Sequence, residues 1–115
     1  MVNPLDMIAG AAEDNYYQIT KTMLAPDSGI DIVVPCGVFP PFLGMKFENN
    51  FRGMVRAWNE TGRQKPLIPL LVFGSGYEKV VEYAKKEKVA FFSTPHEAAY
   101  ATRLLIDRMK FLERQ

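Results

Sequence analysis

The chain has 115 residues, 48% of them hydrophobic and 23% charged. That suits one globular domain, residues 1–115, with a single core, and it argues against disorder. With 14 basic and 13 acidic side chains the net charge is +1, so the basic footprint of a nucleic-acid binder or of an anionic-membrane binder is absent. Cys36 is the sole cysteine, too few for a disulfide framework or a zinc cluster, and a reducing compartment is expected. No apolar run reaches the roughly 18 residues that span a bilayer. Met1 to Pro4 has no basic region followed by an apolar core, so no signal peptide is visible and a cytoplasmic location is expected.

Asn3 to Ile8 reads as a short opening strand, followed by the small-residue loop Ala9-Gly10-Ala11-Ala12. Glu13 and Asp14 mark a helix start, because acidic groups suit the positive helix N-terminus. Tyr16, Ile19, Thr20 and Met23 then share one helical face, and Pro26-Asp27-Ser28-Gly29 turns the chain. Ile30 to Val34 reads as a strand buried on both faces, broken at Pro35-Cys36-Gly37 into a loop that carries Pro40 and Pro41 and ends at Gly44. A second helix is expected from about Lys46 to Thr61, its stripe formed by Phe47, Phe51, Met54, Val55 and Trp58, with Gly62 past its end.

Leu67 to Phe73 reads as another strand. Pro69 removes a ladder donor, which argues for an edge position or a bulge. Ser75 and Glu78 form a capping box for a third helix carrying Val80, Val81 and Ala84. Lys85-Lys86-Glu87-Lys88 is a solvated helix end, where cations suit the dipole. Val89 to Phe92 reads as a short strand. Thr94-Pro95-His96-Glu97 opens the last helix, with Ala98, Ala101, Leu105, Met109 and Leu112 on its inner face. Strands alternating with helices imply a three-layer α/β/α domain with a mostly parallel sheet of about four strands and right-handed crossovers.

A catalytic constellation is missing. His96 reads as an exposed residue in the first turn of a capped helix. Cys36 reads as a buried, inert thiol, since no basic neighbour marks it as activated. Nothing supplies a metal-ligand set. Ser75 reads as a helix cap, because the G-x-S-x-G elbow is absent. Gly74-Ser75-Gly76 is a weak anion site at a helix N-terminus; neither G-x-G-x-x-G nor the P-loop spacing occurs. In parallel α/β folds ligands gather at the carboxyl ends of strands. Three segments belong there: Asp6 to Gly10, Cys36 to Pro41, and Gly74 to Gly76. Their rim candidates are Asp6, Gly10 and Cys36.

Asn3-Pro4-Leu5-Asp6 with its small-residue loop, Tyr16, and Asp27-x-Gly29-Ile30-Asp31-Ile32-Val33-Val34 together resemble the NDP-forming acyl-CoA synthetases, relatives of succinyl-CoA synthetase. Lys65-Pro66-Leu67, Gly74-x-Gly76 and Thr94-Pro95-x-Glu97-Ala98-Ala99 match in the same order. The resemblance implies the flavodoxin-like subdomain that follows the phosphohistidine subdomain. It implies a complete enzyme converting acyl-CoA, NDP and phosphate to acid, NTP and CoA through a phosphohistidine, with CoA, ADP/ATP and Mg as its cofactors and none bound by this chain alone.

The same resemblance implies CoA-binding, phosphohistidine and ATP-grasp domains as partners, a homodimer across an exposed edge, and a chain that is inactive by itself. The chain reads as a piece lacking the family's first strand, loop and helix. His96 does not correspond to the phosphohistidine. Where relatives turn on Gly-Gly to cradle phosphate, Cys36-Gly37-Val38-Phe39-Pro40-Pro41 stands. Prolines lack the N–H an anion cradle uses, which leaves Gly37 and Val38 there, with Gly74, Ser75 and Gly76, as phosphate-contact candidates. The alternative is a regulatory module on the same fold that binds flavin or a small effector; a docking domain with no ligand is the plainest reading.

Overall fold

The computed structural model describes residues 4–7, 12–39, 47–73 and 78–114. In chain order these form α1 (Glu13–Leu24), β1 (Cys36–Phe39), α2 (Phe47–Glu60), β2 (Leu70–Phe73), α3 (Glu78–Glu87) and α4 (Pro95–Glu113). β1 and β2 pair in parallel, Cys36 opposite Leu70 through Phe39 opposite Phe73. Single parallel bridges join Val33 to Leu67 and Leu70 to Phe92. The described residues therefore form an α/β domain with four helices and a small two-strand parallel sheet, shorter than the expected sheet of about four strands.

Two prolines explain the shortness. Val33 and Leu67 keep the same register as Cys36 and Leu70, so the alignment is unbroken from one to the other. Between them Pro35 has no N–H to give, although its carbonyl still accepts from Leu70 N–H at 2.9 Å. The strand expected at residues 30–34 is thus displaced toward the carboxyl side. It is also not buried on both faces, since Val33 is buried and Val34 is exposed.

Pro69 was expected at an edge or a bulge. It lies instead in the middle segment, because Leu70 is bridged on one side to Cys36 and on the other to Phe92. Successive N–H groups of a strand point to opposite neighbours. Leu71 N–H reaches Phe92 O at 2.8 Å, so the donor missing at Pro69 faces the 89–92 side, where pairing shrinks to one bridge. The Pro69 carbonyl still accepts from Phe92 N–H at 2.9 Å. The short strand expected at 89–92 is reduced to that bridge. Residues 4–7 carry no strand, and the rest of the expected opening strand lies outside the described residues.

Side chains alternate across the sheet and divide the core in two. On one face Val33, Leu67, Leu71 and Val89 join Tyr16 and Leu24 of α1, Phe51, Met54 and Val55 of α2, and Val80 and Ala84 of α3. Phe51 is fully buried and meets Tyr83 and Phe91 edge-on, at 5.7 and 6.0 Å between ring centroids. On the other face Ile68, Leu70 and Ala98 of α4 form a smaller cluster, with Ile32 and Phe92 beside them. The inner stripe expected along α4 is buried only at Ala98; Leu105, Met109 and Leu112 stay exposed.

The helix ends follow local chemistry. Asn15 Oδ1 accepts from Ala12 N–H at 2.9 Å at the start of α1. Thr94 Oγ1 accepts from Glu97 N–H at 3.2 Å at the start of α4, with Pro95 in the first turn. Gly62 follows α2 with φ +74°, a left-handed conformation that glycine adopts freely. The capping box of Ser75 lies outside the described residues.

Candidate functional site

Parallel pairing places the carboxyl ends of β1 and β2, Phe39 and Phe73, on one edge of the sheet. Helices α2 and α3 begin shortly after them. The start of α1 packs against the second turn of α2. A Cβ built on Gly53 would stand 2.5 Å from the Glu13 carbonyl oxygen and 3.3 Å from Tyr17 N, so the first turn of α1 lies directly against α2. Gly53 is six residues into α2, about 9 Å along its axis. Helix starts gathered beside strand ends present free backbone N–H groups, a setting suited to anions.

The candidate residues distribute as follows. Gly10, Gly74, Ser75 and Gly76 lie outside the described residues. Asp6 is exposed. Gly37 and Val38 belong to β1 rather than to a loop. In the observed register, with Leu70 N–H on the Pro35 carbonyl, the Gly37 N–H is directed at the Leu70 carbonyl and the Val38 N–H points away from β2.

Cys36 was expected to be buried and is exposed. It has the strand parity of Val34 and Val72, the face that α4 covers only in part. Its thiol approaches the Val34 carbonyl at 3.8 Å. Burial, and second the neighbouring Cys36, push the Tyr16 hydroxyl above its ordinary value, so it stays protonated. His96 is exposed on the first turn of α4, as expected.

Asn50, on the first turns of α2, was not singled out by the sequence. It is 3% exposed, and its Nδ2 has no hydrogen-bond partner. Among the described residues no three His, Cys, Asp or Glu side chains stand together as metal ligands. The edge as described offers backbone donors and no acid–base pair.

Below this edge the helices are tied by contacts that apolar periodicity does not reveal. Lys65 Nζ donates to the Ala25 carbonyl at 2.7 Å and to Ser28 Oγ at 3.0 Å. Ser28 Oγ in turn donates to the Met23 carbonyl at 2.7 Å and accepts from Ile30 N–H at 3.1 Å. Arg63 stacks on Trp58 and donates to the Glu87 carbonyl at 2.8 Å and the Lys88 carbonyl at 3.3 Å, closing the end of α3. Tyr17 donates to Glu60 at 2.8 Å and accepts from Lys21 at 3.1 Å, beneath the Arg56 guanidinium, 3.8 Å from its ring centroid. The Tyr17 hydroxyl, and after it the Glu60 carboxylate, raise the Lys21 ammonium above its ordinary value. The local signal for Lys65 and Ser28 was the turn composition, and for Gly53 a glycine inside a helical pattern.

These features define an α/β domain with a parallel sheet, with α2 and α3 starting shortly after the carboxyl ends of its two strands. No protein-family model matches the chain. It is 33% identical over 108 residues, 94% of its length, to the alpha subunit of an ADP-forming acetate–CoA ligase II from Pyrococcus furiosus. The crystal structure of PH0766 from Pyrococcus horikoshii superposes on it with a TM-score of 0.84, at 31% identity over 94% of the chain. The chain spans 23% of the length of the first and 25% of the second. It is related to the NDP-forming acyl-CoA synthetases, the family its motifs resemble.

Proposed function

We propose that the chain serves as the flavodoxin-like ligase subdomain of an NDP-forming acyl-CoA synthetase. In this reading it docks against the CoA-binding, phosphohistidine and ATP-grasp domains and offers its strand-end edge to the phosphohistidine. The observation that carries it is 33% identity sustained over 94% of the chain, which agrees with motifs matching in order from Asn3 to Ala99. Phosphate contact is assigned to the backbone at Val38, Gly74, Ser75 and Gly76, with Asp6, Gly10 and Cys36 on the rim; the Gly37 N–H is directed at the Leu70 carbonyl. Val38, whose N–H is turned away from β2, is the stronger donor of the two on β1.

CoA, ADP/ATP and Mg belong to the complete enzyme. The described residues supply neither a metal-ligand cluster nor a general acid–base pair, and the chain alone is expected to be inactive. Two measurements test the reading. Conversion of acetyl-CoA, ADP and phosphate to ATP should be absent with the isolated chain and present in the assembly it belongs to. Thermal shift should respond to phosphate. A shift with flavin and none with phosphate or CoA would overturn it in favour of a regulatory module.

A further inference from the structure

Helices α1 and α2 run side by side in the same direction. Glu13 lies against Gly53, Tyr17 beneath Arg56, and Lys21 beside Glu60. Asn50 stands one turn before Gly53, about 4.5 Å nearer the start of α2, and so is level with the N-terminus of α1. It falls between Gly53 and Met54 around the helix, turned inward and 3% exposed. Helical side chains lean toward the N-terminus, which carries the Asn50 amide toward both helix starts.

The groups turned toward this place are donors. The first four N–H groups of a helix have no partner within it. In α1 the capping position is held by Ala12, whose side chain cannot accept, and the Asn15 carbonyl oxygen is engaged by the Ala12 N–H. Helix dipoles add partial positive charge at both starts. Of the acids nearby, Glu48 lies about 200° from Asn50 around α2, Asp14 is exposed, and the Glu13 side chain passes beside Gly53, its Cγ 3.3 Å from the Cβ position there. None of them accepts from Asn50 Nδ2, which is buried without a partner. A leucine would fill the same space and leave no donor unpaired. A buried amide kept there instead calls for an acceptor from outside the chain.

We propose that Asn50 is a side-chain contact for a tetrahedral oxyanion held at the adjoining N-termini of α1 and α2, its Nδ2 donating to one oxygen while first-turn N–H groups donate to others. Phosphate is the oxyanion that the proposed function supplies. The assignment rests on that reading for its ligand, and it adds a buried side chain to a set of backbone donors.

The test is thermal unfolding of the full chain, as wild type and as Asn50→Leu, in sodium phosphate and in sodium chloride of equal ionic strength. Leucine keeps the volume and removes the donor. The wild-type midpoint should rise by about 5 °C at a phosphate concentration ten times its dissociation constant. In Asn50→Leu the phosphate affinity should fall about 10- to 100-fold. An equal phosphate response in the two proteins overturns the assignment and leaves the proposed function standing. A wild type that phosphate does not stabilise also overturns the assignment, and ATP formation by the assembly then judges the proposed function separately. Should Asn50→Leu fail to fold, the side-chain amide signal of Asn50 in the nitrogen–proton correlation spectrum of the wild type decides. A shift that saturates with phosphate and is absent with chloride supports the contact; an unmoved signal overturns it.

Discussion

Helices α2 and α4 carry apolar residues at the same helical period and end in opposite settings. In α2, Phe51, Met54 and Val55 are fully buried against the sheet and two neighbouring helices. In α4, Ala98 is buried, and Leu105, Met109 and Leu112 on the same side are not. Periodicity tells which residues a helix will bury if something covers them. It does not tell how much protein is there to do the covering.

That contrast can be broken by mutation. Phe51→Ala should cost about 3–5 kcal/mol, because the ring is enclosed between Tyr83 and Phe91 and its loss leaves a cavity. Leu105→Ala on α4 should cost a small fraction of that in the same chemical-denaturation experiment. Equal losses would mean that α4 packs as tightly as α2.

Gly53→Ala gives a test of sign. On helix propensity alone alanine should stabilise α2 by up to about 1 kcal/mol. Here the new methyl would meet the Glu13 backbone oxygen at 2.5 Å, and forcing α1 away should cost about 1–3 kcal/mol. A stabilised variant would show that α1 does not approach α2 as described.

Lys65→Met removes the donor to the Ala25 carbonyl and Ser28 Oγ while keeping the aliphatic stem. A loss of about 1–3 kcal/mol is expected from the partners left unsatisfied. Native-state hydrogen exchange should quicken in the turn after α1, at Ser28 and Ile30, more than in α4.

The pH dependence separates the two halves as well. Burial, and second Cys36, raise the Tyr16 hydroxyl above the ordinary 10.0. The folded state favours the neutral phenol, so this contribution is complete below pH 10 and is lost as pH rises through the folded-state value. Tyr16→Phe should flatten the alkaline loss in a stability–pH profile. The smallest effect is expected for L104E/F111E on the isolated chain, within about 0.5 kcal/mol, since Leu104 and Phe111 are about half exposed.

Helix positions were legible because each carries its own punctuation: Glu13 and Asp14 in the first turn of α1, Gly62 after α2, Thr94 before α4 and Pro95 at its start. Strand limits were not. Pro35 looked like the end of a strand, yet a proline only deletes one donor, and its neighbours kept the register on both sides. Pro69 looked like an edge residue, although the direction of its missing N–H, rather than its presence, decided what it could pair with. Cys36 was misplaced for the same reason: with the strand displaced, its side chain falls on the exposed parity. That the carboxyl ends of the strands share one edge was legible from the alternation of strands and helices. Lys65 and Arg63 bond across 24 to 40 residues of sequence, and those partners are chosen by the fold, not by a local pattern.

The sequence by itself determined the order of the four helices, the apolar stripes of α1 to α3, and the likeness to acyl-CoA synthetases, because these rest on local periodicity, caps and ordered motifs. Only the tertiary structure decided the register across two prolines, the near-contact of Gly53 with Glu13, and the exposure of α4. Those depend on which neighbour stands opposite each residue, and a helix with two apolar faces can satisfy only one of them within this domain.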